Sequence, residues 1–277
     1  EIVRGKDACA KARPDRGTIK GGDAISGWAQ DQPVDGDYIK AEAQAGRMGA
    51  QLYAVAVKKS RGLEFREPTR EDVEAVRAAE QELARLMLGW EAKGIVPPEH
   101  YPDQSTDPRP LHYGMSRWRD MFSPRQLLSL CTYIEELAET KKRLFAELPE
   151  ERARAVATYL GIMADKAADY SSSLTKWDST RNKITNTFDR HDFSFKWSHG
   201  EFDASANLFP WGLDQVVDAY SGLAALAQGE ASLFEDASKP LPVTVSKGSA
   251  ADLRGVSSGS VELICIDPPY YDNVMYA

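Results

Sequence analysis

Four consecutive residues, Asp267-Pro268-Pro269-Tyr270, have side chains and backbone properties that could do chemistry together. Asp267 supplies a carboxylate that accepts hydrogen bonds. The two prolines fix φ and remove two backbone donors, so the carbonyl groups of this segment remain available as acceptors. Tyr270 adds a flat ring on which another ring can stack. The tetrad could therefore bind a planar group that bears an exocyclic NH2, as adenine and cytosine do.

Binding of this kind could also activate the amine. The amine of a nucleobase is a poor nucleophile because its lone pair is delocalised into the ring. Acceptors at Asp267 and at the Pro268 carbonyl would bind both N–H bonds and favour a pyramidal nitrogen, which resembles the transition state for methyl transfer. Tyr270 would hold the base by stacking after it has left the duplex. The alternative is a tight Asp-Pro-Pro turn with no function.

The elements next to the tetrad must position it. Residues 261–266 are almost continuously apolar, which is typical of a strand buried on both faces of a parallel sheet, and ligands bind at the carboxyl ends of such strands. Residues 243–245 predict a short strand, and we expect the two strands to pair in parallel. Ser249 and Asp252 follow the first strand in a polar stretch, which can be a simple loop with Asp252 at a turn.

The remainder of the chain predicts a mainly helical α/β protein. Residues 1–68 predict a small β-containing lobe, with candidate strands at 38–43 and 52–57. Residues 69–235 predict a helical domain, because apolar residues recur at helical spacing after good N-cap residues at Thr69 and Ser123. We expect four helices in it, starting near residues 69, 123, 149 and 213. Residues 236–277 would be part of an α/β catalytic core.

The tetrad resembles the Asp-Pro-Pro-Tyr motif of DNA amino-methyltransferases that use S-adenosylmethionine. The longer stretch 267–277 is similar to large adenine-specific DNA methylase-like proteins, whose core carries a helical insertion with a zinc-ribbon-like segment. Further stretches resemble that insertion: 38–42 with 46–52, 113–118 with 122–127, and 171–174 with Trp177 and 186–188.

This resemblance implies a Rossmann-like catalytic sheet, S-adenosylmethionine as cofactor and DNA as partner. It implies that Asp267, Pro268, Pro269 and Tyr270 are catalytic, and that the loop containing Ser249 and Asp252 contacts the adenosine part of the cofactor. An Asp at the first motif position favours adenine N6 over cytosine, for which Ser is commoner.

Two features depart from the family. The zinc-ribbon-like segment normally carries Cys-x-x-Cys pairs, but residues 23–28 contain no cysteine and Cys9 stands alone, so we expect no metal site. The glycine-rich cofactor loop of the family is absent. We expect the sequence to be an internal fragment of a longer protein, because it stops about a dozen residues after the apolar stretch 261–266. Because the cofactor loop is missing, we expect the 277 residues alone not to transfer methyl groups.

Candidate DNA-binding residues lie in two basic and aromatic stretches. The net charge of −8 argues against nonspecific DNA binding by the whole chain, yet residues 176–200 carry five bases against three acids with aromatic residues between them. From these stretches we predict five DNA-binding residues: Arg117, Arg119, Lys176, Arg181 and Lys183. A loop held by its aromatic residues, with solvated charges, explains the same pattern equally well.

Composition limits the setting. Three widely spaced cysteines exclude a disulfide framework, and no apolar run approaches the roughly 20 residues that span a bilayer, so we expect a cytoplasmic protein without membrane contact.

Two alternatives to a DNA methyltransferase remain open. One is a noncatalytic helical module that binds DNA or a protein and carries a relic motif. The other is a methyltransferase of RNA or of a protein amide. Restriction or phage-defence proteins are possible partners.

Overall fold

Helices and small sheets together form the structure, which is a computed structural model. This confirms the prediction of a mixed helix-and-sheet protein. Within the residues that it describes, every helix is too short or too polar to cross a lipid bilayer. The described residues are 7–8, 11, 19–20, 23–26, 32–105, 107–189, 193, 195–228, 244–249 and 251–266.

Short antiparallel strands occupy the first part of the chain. Strands β1 (Ile19–Lys20), β2 (Asp23–Ser26) and β3 (Gln32–Val34) form one sheet. Strands β4 (Val55–Lys59) and β5 (Gly62–Arg66) form a hairpin, in which Gly62 adopts a φ of 91° directly after a two-residue turn. The predicted strand at 52–57 overlaps β4, so this prediction is confirmed in part.

The predicted strand at 38–43 is wrong, because these residues lie in helix α1 (Gly36–Gln44). The Asp35 side chain caps this helix by accepting a hydrogen bond of 2.8 Å from the Asp37 backbone N–H. Asp37 also accepts a hydrogen bond of 2.8 Å from Lys40, one turn along the helix. The N-cap and the good helix formers at residues 40–44 favour the helix over the extended chain.

Helices dominate the middle of the chain, as predicted. They are α2 (Arg70–Ala92), the single turn α3 (Arg109–His112), α4 (Pro124–Glu147), α5 (Glu150–Asp169) and α6 (Phe209–Gln228). Helices α2 and α4 begin with capping boxes, in which Thr69 and Ser123 accept from the backbone N–H groups of Asp72 and Gln126. Helix α4 packs against α2 and α5, and α5 packs against α6.

Smaller elements connect the long helices. A 3-10 turn at Trp118–Met121 leads into α4, and a second 3-10 turn lies at Thr187–Asp189. Strands β6 (Lys176–Asp178) and β7 (Lys183–Thr185) form a hairpin between α5 and the second of these turns. A π turn at Ala204–Leu208 runs directly into α6.

Two clusters of buried side chains form the interior. The bundle core lies between α2 and α4, and it consists of Leu83, Trp90, Val96, Leu127 and Cys131. The loop core lies under the segments that connect the helices, and it consists of Tyr101, Met115, Met121 and Phe193. Phe122 packs against both clusters, so the start of α4 joins them.

The predicted parallel pairing of residues 243–245 with 261–266 is wrong for the part of the chain that the structure describes. Val243 lies outside it, and neither 244–245 nor 261–266 forms a strand. Residues 261–266 are exposed. Parallel strands need a crossover of about a dozen residues or more, usually a helix, whereas described residues in the connection form turns around Gly255 and Gly259. An apolar strand without neighbours on its edges has no other source of stability.

Gly114 fixes the contact between α1 and the segment that follows α3. Its φ is 75°, and a Cβ atom there would lie 2.3 Å from the backbone oxygen of Ala43 in α1.

We expect Gly114→Ala to lower the free energy of unfolding by about 1–3 kcal/mol or more, because the strain of a left-handed alanine backbone adds to the clash of its Cβ atom with Ala43. Gly89→Ala is the matched control, because open space surrounds Gly89 within α2 and it should gain about 0.5–1 kcal/mol. Urea denaturation of both variants tests this, and equal stabilities would contradict it.

Candidate nucleic-acid interface

Four aromatic rings form a continuous contact series, which we call the aromatic ladder: Tyr113, Phe193, Phe195 and Trp197. Phe195 stacks on Tyr113, with ring centroids 4.8 Å apart and ring planes 11° apart, and lies 6.0 Å from Phe193. Trp197 meets Phe195 edge-on at 5.4 Å. The ladder extends from Phe193, which is 5% exposed in the loop core, to Trp197, which is 48% exposed. Its outer end therefore presents an indole to solvent.

Two distant parts of the chain supply the ladder. Phe193, Phe195 and Trp197 are two residues apart from one another along one connecting segment. Tyr113 comes from the end of α3, where the Gly114 turn follows. The sequence pattern identified the three alternating rings next to bases. It missed Tyr113, because a local pattern cannot indicate a contact between distant stretches.

Cations flank the ladder at two points. The Arg109 guanidinium lies 5.9 Å from the centre of the Phe193 ring. On α1, a hydrogen bond to Asp37 raises the pKa of Lys40, and the nearby Tyr113 hydroxyl adds a smaller effect of the same sign. Both cations have carboxylate partners. Lys40 is paired with Asp37, and Arg109 forms an ion pair with Asp107. Sequence patterns missed both cations.

Asp107 links the ladder to the loop core. Its side chain is buried and accepts hydrogen bonds from the Arg109 guanidinium and from the backbone N–H of Phe193, the latter at 3.2 Å. The hydrogen bond from the Arg109 side chain is the main reason that the pKa of Asp107 lies below its ordinary value. Tyr101 donates its hydroxyl proton to the Asp107 carbonyl at 2.8 Å. The buried end of the ladder is thus fixed by charge-assisted hydrogen bonds.

The predicted DNA-binding residue Arg117 precedes the 3-10 turn at Trp118–Met121, and Arg119 lies within it. The Arg119 side chain is only 15% exposed and lies 2.5 Å from Glu91 of α2, so its charge serves the contact between helices. Arg117 is half-buried beside Trp118, whose ring packs against Tyr101 at 5.0 Å. The sequence could not indicate the pair with Glu91, because the two residues are distant along the chain.

The other three predicted DNA-binding residues share the β6–β7 hairpin. Lys176 forms an ion pair with Asp189, and Arg181 lies 3.9 Å from Asp178. Lys183 is exposed at the start of β7. The hairpin therefore brings these three bases together, with two of them close to carboxylates.

A half-buried ion pair fixes the segment that follows the ladder to α4. Arg125 Nε lies 2.6 Å from Glu201 Oε2, and His199 Nε2 lies 3.4 Å from Glu201 Oε1. Burial alone would raise the pKa of Glu201, but the neighbouring polar groups of His199, Arg125 and Ser123 outweigh it and lower the pKa to about 2. The Glu201 carboxylate therefore stays charged at neutral pH and holds the side chains of Arg125 and His199 in place.

The stretches that carry the family resemblance meet around the loop core. The Met121 carbonyl accepts hydrogen bonds from the backbone N–H and the hydroxyl of Ser173, at 2.8 and 2.6 Å. The Ser172 and Thr187 hydroxyls lie 2.7 Å apart. Met121 lies between 113–118 and 122–127, and Gly114 approaches Ala43, which lies between 38–42 and 46–52, so the three stretches come close to one another.

The predicted catalytic residues, Asp267, Pro268, Pro269 and Tyr270, lie outside the described residues. The predicted cofactor-binding pair lies within them and forms a turn. Ser249 Oγ accepts from the Ala251 backbone N–H at 3.2 Å, and Asp252 forms an ion pair with Arg254. Both side chains are exposed. In the described parts of the chain, no group of three or more His, Cys, Asp or Glu side chains could hold a metal ion.

Glu201 should make the stability of the protein depend on pH. A carboxyl whose pKa is lowered by folding stabilises the folded state above its ordinary pKa of 4.5, and this contribution is lost as the pH falls through about 2. We expect Glu201→Gln to lower the free energy of unfolding by about 3 kcal/mol at about pH 7 and by less than half of that at about pH 3.

Urea denaturation at both pH values measures this difference. Glu136→Gln is the control, because Glu136 is an exposed carboxyl on α4. If Glu201→Gln and Glu136→Gln respond to pH alike, Glu201 does not hold the charged pair described above.

Comparisons with known proteins do not place the chain in a family. No family model matches it, and neither the curated proteins nor the solved structures include a match. The resemblance to DNA amino-methyltransferases therefore stays a prediction from the sequence.

Proposed function

We propose that the chain belongs to an S-adenosylmethionine-dependent DNA amino-methyltransferase. We propose the N6 amine of adenine as its target. The observation that carries the proposal is the sequence Asp267-Pro268-Pro269-Tyr270 directly after the apolar residues 261–266. In a Rossmann-like sheet this order places the tetrad at the carboxyl end of a buried strand, where ligands bind. The cytoplasm, where DNA is accessible and thiols stay reduced, is the proposed compartment.

The tetrad would act on the target base. Asp267 and the Pro268 carbonyl would accept hydrogen bonds from the two amine N–H groups and favour a pyramidal nitrogen, so that binding is tighter in the transition state than in the ground state. Pro269 keeps the segment rigid, since proline fixes φ. Tyr270 would stack on the extruded base.

S-Adenosylmethionine would supply the methyl group. The turn from Ser249 to Asp252 is compatible with its adenosine part, because exposed hydroxyl and carboxylate oxygens can bind an amine or ribose hydroxyls. Ser249 already accepts a backbone hydrogen bond and Asp252 is paired with Arg254. Each acceptor oxygen has two lone pairs, which leaves capacity for a ligand.

The aromatic ladder supports DNA as the substrate. Trp197 offers an exposed ring for stacking on an unpaired base, and stacking of this type tolerates any base. The nearby cations Lys40 and Arg109 are paired with carboxylates, and the net charge of the chain is −8. We therefore propose that the ladder contacts unstacked bases near the target. Electrostatic contacts with the phosphates of the duplex would contribute less.

A noncatalytic binding module is the second candidate. The observation that favours it is the exposed, unpaired state of residues 261–266, together with the simple turn at Ser249 and Asp252. On this proposal the ladder would bind nucleic acid while the tetrad serves as a turn. Only the first candidate function includes methyl transfer, whereas both include binding of nucleic acid.

The catalytic proposal predicts that Asp267→Ala abolishes methyl transfer. Removal of one preorganised acceptor at a transition state costs about 3–4 kcal/mol, which is a rate loss of roughly 100- to 1000-fold. The measurement is single-turnover incorporation of labelled methyl into adenine-containing duplex by the protein expressed from the complete open reading frame that encodes this chain. Asp272→Ala is the control, because Asp272 is a nearby carboxylate outside the tetrad.

Tyr270 provides a graded companion in the same assay. Tyr270→Ala should weaken base capture by about 1–3 kcal/mol, and Tyr270→Phe should weaken it less because the ring is kept. Full activity of Asp267→Ala would leave the tetrad as a structural turn. No incorporation by the wild-type protein would reject the enzyme and leave the binding module.

The nucleic-acid interface has a separate test. Trp197→Ala should weaken binding to a fluorescent single-stranded oligonucleotide by roughly 5- to 150-fold, the equivalent of losing one stacked base at about 1–3 kcal/mol. Phe145→Ala is the matched control, because Phe145 is a similarly exposed aromatic residue on α4, apart from the ladder. Fluorescence anisotropy measures both affinities. Equal affinities for the two variants would show that the ladder does not contact the strand.

A further inference from the structure

The end of the β4–β5 hairpin is strongly basic. Residues 58–61, which we call the basic tip, have the sequence Lys-Lys-Ser-Arg, and all four are exposed. The hairpin from residue 55 to residue 66 carries four bases against one acid, Glu64, in a chain whose net charge is −8. Positive charge concentrated in this way attracts anionic partners.

Most of the charge of the basic tip is not neutralised by neighbouring carboxylates. Lys59 lies 3.9 Å from Glu64, but both side chains are about half exposed, so this pair is weak. Lys58 and Arg61 form no ion pair with any residue that the structure describes. At the other end of the hairpin, Arg66 is paired with Asp72 of α2. The base of the hairpin is therefore fixed, while the tip keeps its cations available.

The register of the hairpin places cations on both of its faces. Lys58 is opposite Leu63, and Lys59 is opposite Gly62. Because successive residues of a strand point to opposite faces, Lys58 and Lys59 point to opposite sides of the ribbon, and Arg61 lies in the turn. A two-stranded ribbon is narrow enough to enter the major groove of duplex DNA, which has a row of phosphates on either side.

A series of contacts connects this hairpin with the aromatic ladder. Phe65 meets Trp177 of β6 edge-on, with ring centroids 5.5 Å apart, and Trp177 is opposite Ile184 of β7. Gly200, three residues after Trp197, packs so closely on Ile184 that a Cβ atom on it would lie 2.8 Å from Ile184 Cγ1. The path from Trp197 to the basic tip is therefore no longer than about 45 Å, little more than one helical turn of duplex DNA.

We propose that the basic tip binds the phosphate backbone of duplex DNA beside the place where the ladder stacks on unpaired bases. The inference rests on the proposed function for the nature of the partner, which is nucleic acid. The cations next to the ladder are paired with carboxylates, whereas the basic tip has cations available for phosphates. The DNA that suits both surfaces is a duplex joined to a short unpaired stretch.

The composition of the basic tip favours DNA over a lipid surface. Residues 58–62 contain no apolar side chain that could enter the interface of a bilayer. Bases without such an anchor gain only about 1 kcal/mol each near anionic lipids. Each DNA strand, in contrast, carries a phosphate about every 3.4 Å, so three neighbouring bases can each contact one.

Fluorescence anisotropy tests the proposal with the protein expressed from the complete open reading frame. The probe is a labelled duplex of about 20 base pairs with a single-stranded overhang of about eight nucleotides. The variant that combines Lys58→Ala, Lys59→Ala and Arg61→Ala should bind this probe roughly tenfold more weakly at about 100 mM salt. Between about 50 and 200 mM salt, its plot of log affinity against log salt should be shallower by about 2–3, because three phosphate contacts are lost.

The matched control combines Lys141→Ala, Lys142→Ala and Arg143→Ala. It removes the same residue types from the exposed surface of α4, outside both hairpins, and should bind as the wild-type protein does. Equal affinities and salt dependences of the two triple variants would overturn the proposal, as would a wild-type protein that does not bind the probe. Thermal unfolding checks the fold of each variant. If the first triple variant does not fold, Lys58→Gln with Arg61→Gln replaces it and should make the plot shallower by about 1–2.

Two further measurements separate this inference from its alternatives. Methyl incorporation distinguishes it from the proposed function. Loss of duplex binding in the basic-tip variant, without methyl transfer by the wild-type protein, would support the tip and reject the enzyme. Methyl transfer by the wild-type protein, with unchanged duplex binding by the variant, would do the reverse. Vesicles with about 30% phosphatidylserine test the lipid alternative, and vesicle binding that depends on the basic tip while DNA binding does not would overturn the proposal.

Discussion

The hydrogen bonds at the Met121 carbonyl join the segment after α5 to the start of α4. The backbone N–H and the hydroxyl of Ser173 both donate to this one oxygen. Phe122, the next residue, packs against both the bundle core and the loop core. Ser123 then caps α4, and Arg125 forms the ion pair with Glu201. One turn of chain therefore ends a loop, starts the central helix and fixes two distant segments.

The contacts of residues 121–125 also help to position the aromatic ladder. The ladder lies on connecting segments, which have little regular secondary structure of their own. Asp107 fixes its buried end, and the pair of Glu201 with Arg125 fixes the chain just beyond Trp197. Loops held in this way by a rigid scaffold are common places for binding residues. Because the flanking cations already have carboxylate partners, stacking rather than net charge should dominate any contact with nucleic acid.

The sequence predicts the long helices well, and it fails where contacts between distant residues decide the outcome. The starts of α2 and α4 follow from local capping at Thr69 and Ser123, which needs only neighbouring residues. The stretch 38–43 resembles a strand when taken alone, but the cap at Asp35 makes it a helix. Residues 261–266 have the composition of a strand, yet the described chain offers them no neighbouring strand.

The candidate site shows the same division. The sequence shows Phe193, Phe195 and Trp197 interleaved with bases, whereas the stacking of Tyr113 on Phe195 arises only in the folded chain. The partner of Arg119 is Glu91, and no local pattern connects them. Charge in a sequence therefore indicates candidates for binding, and the fold decides which of them support packing instead.

The central claim is that this protein methylates an exocyclic amine of DNA. Methylome sequencing of DNA from cells that express the complete gene encoding this chain tests it directly, with cells that carry an empty vector as reference. We predict N6-methyladenine at one defined sequence motif in the expressing cells alone. Identical methylation patterns in the two kinds of cell would contradict the account.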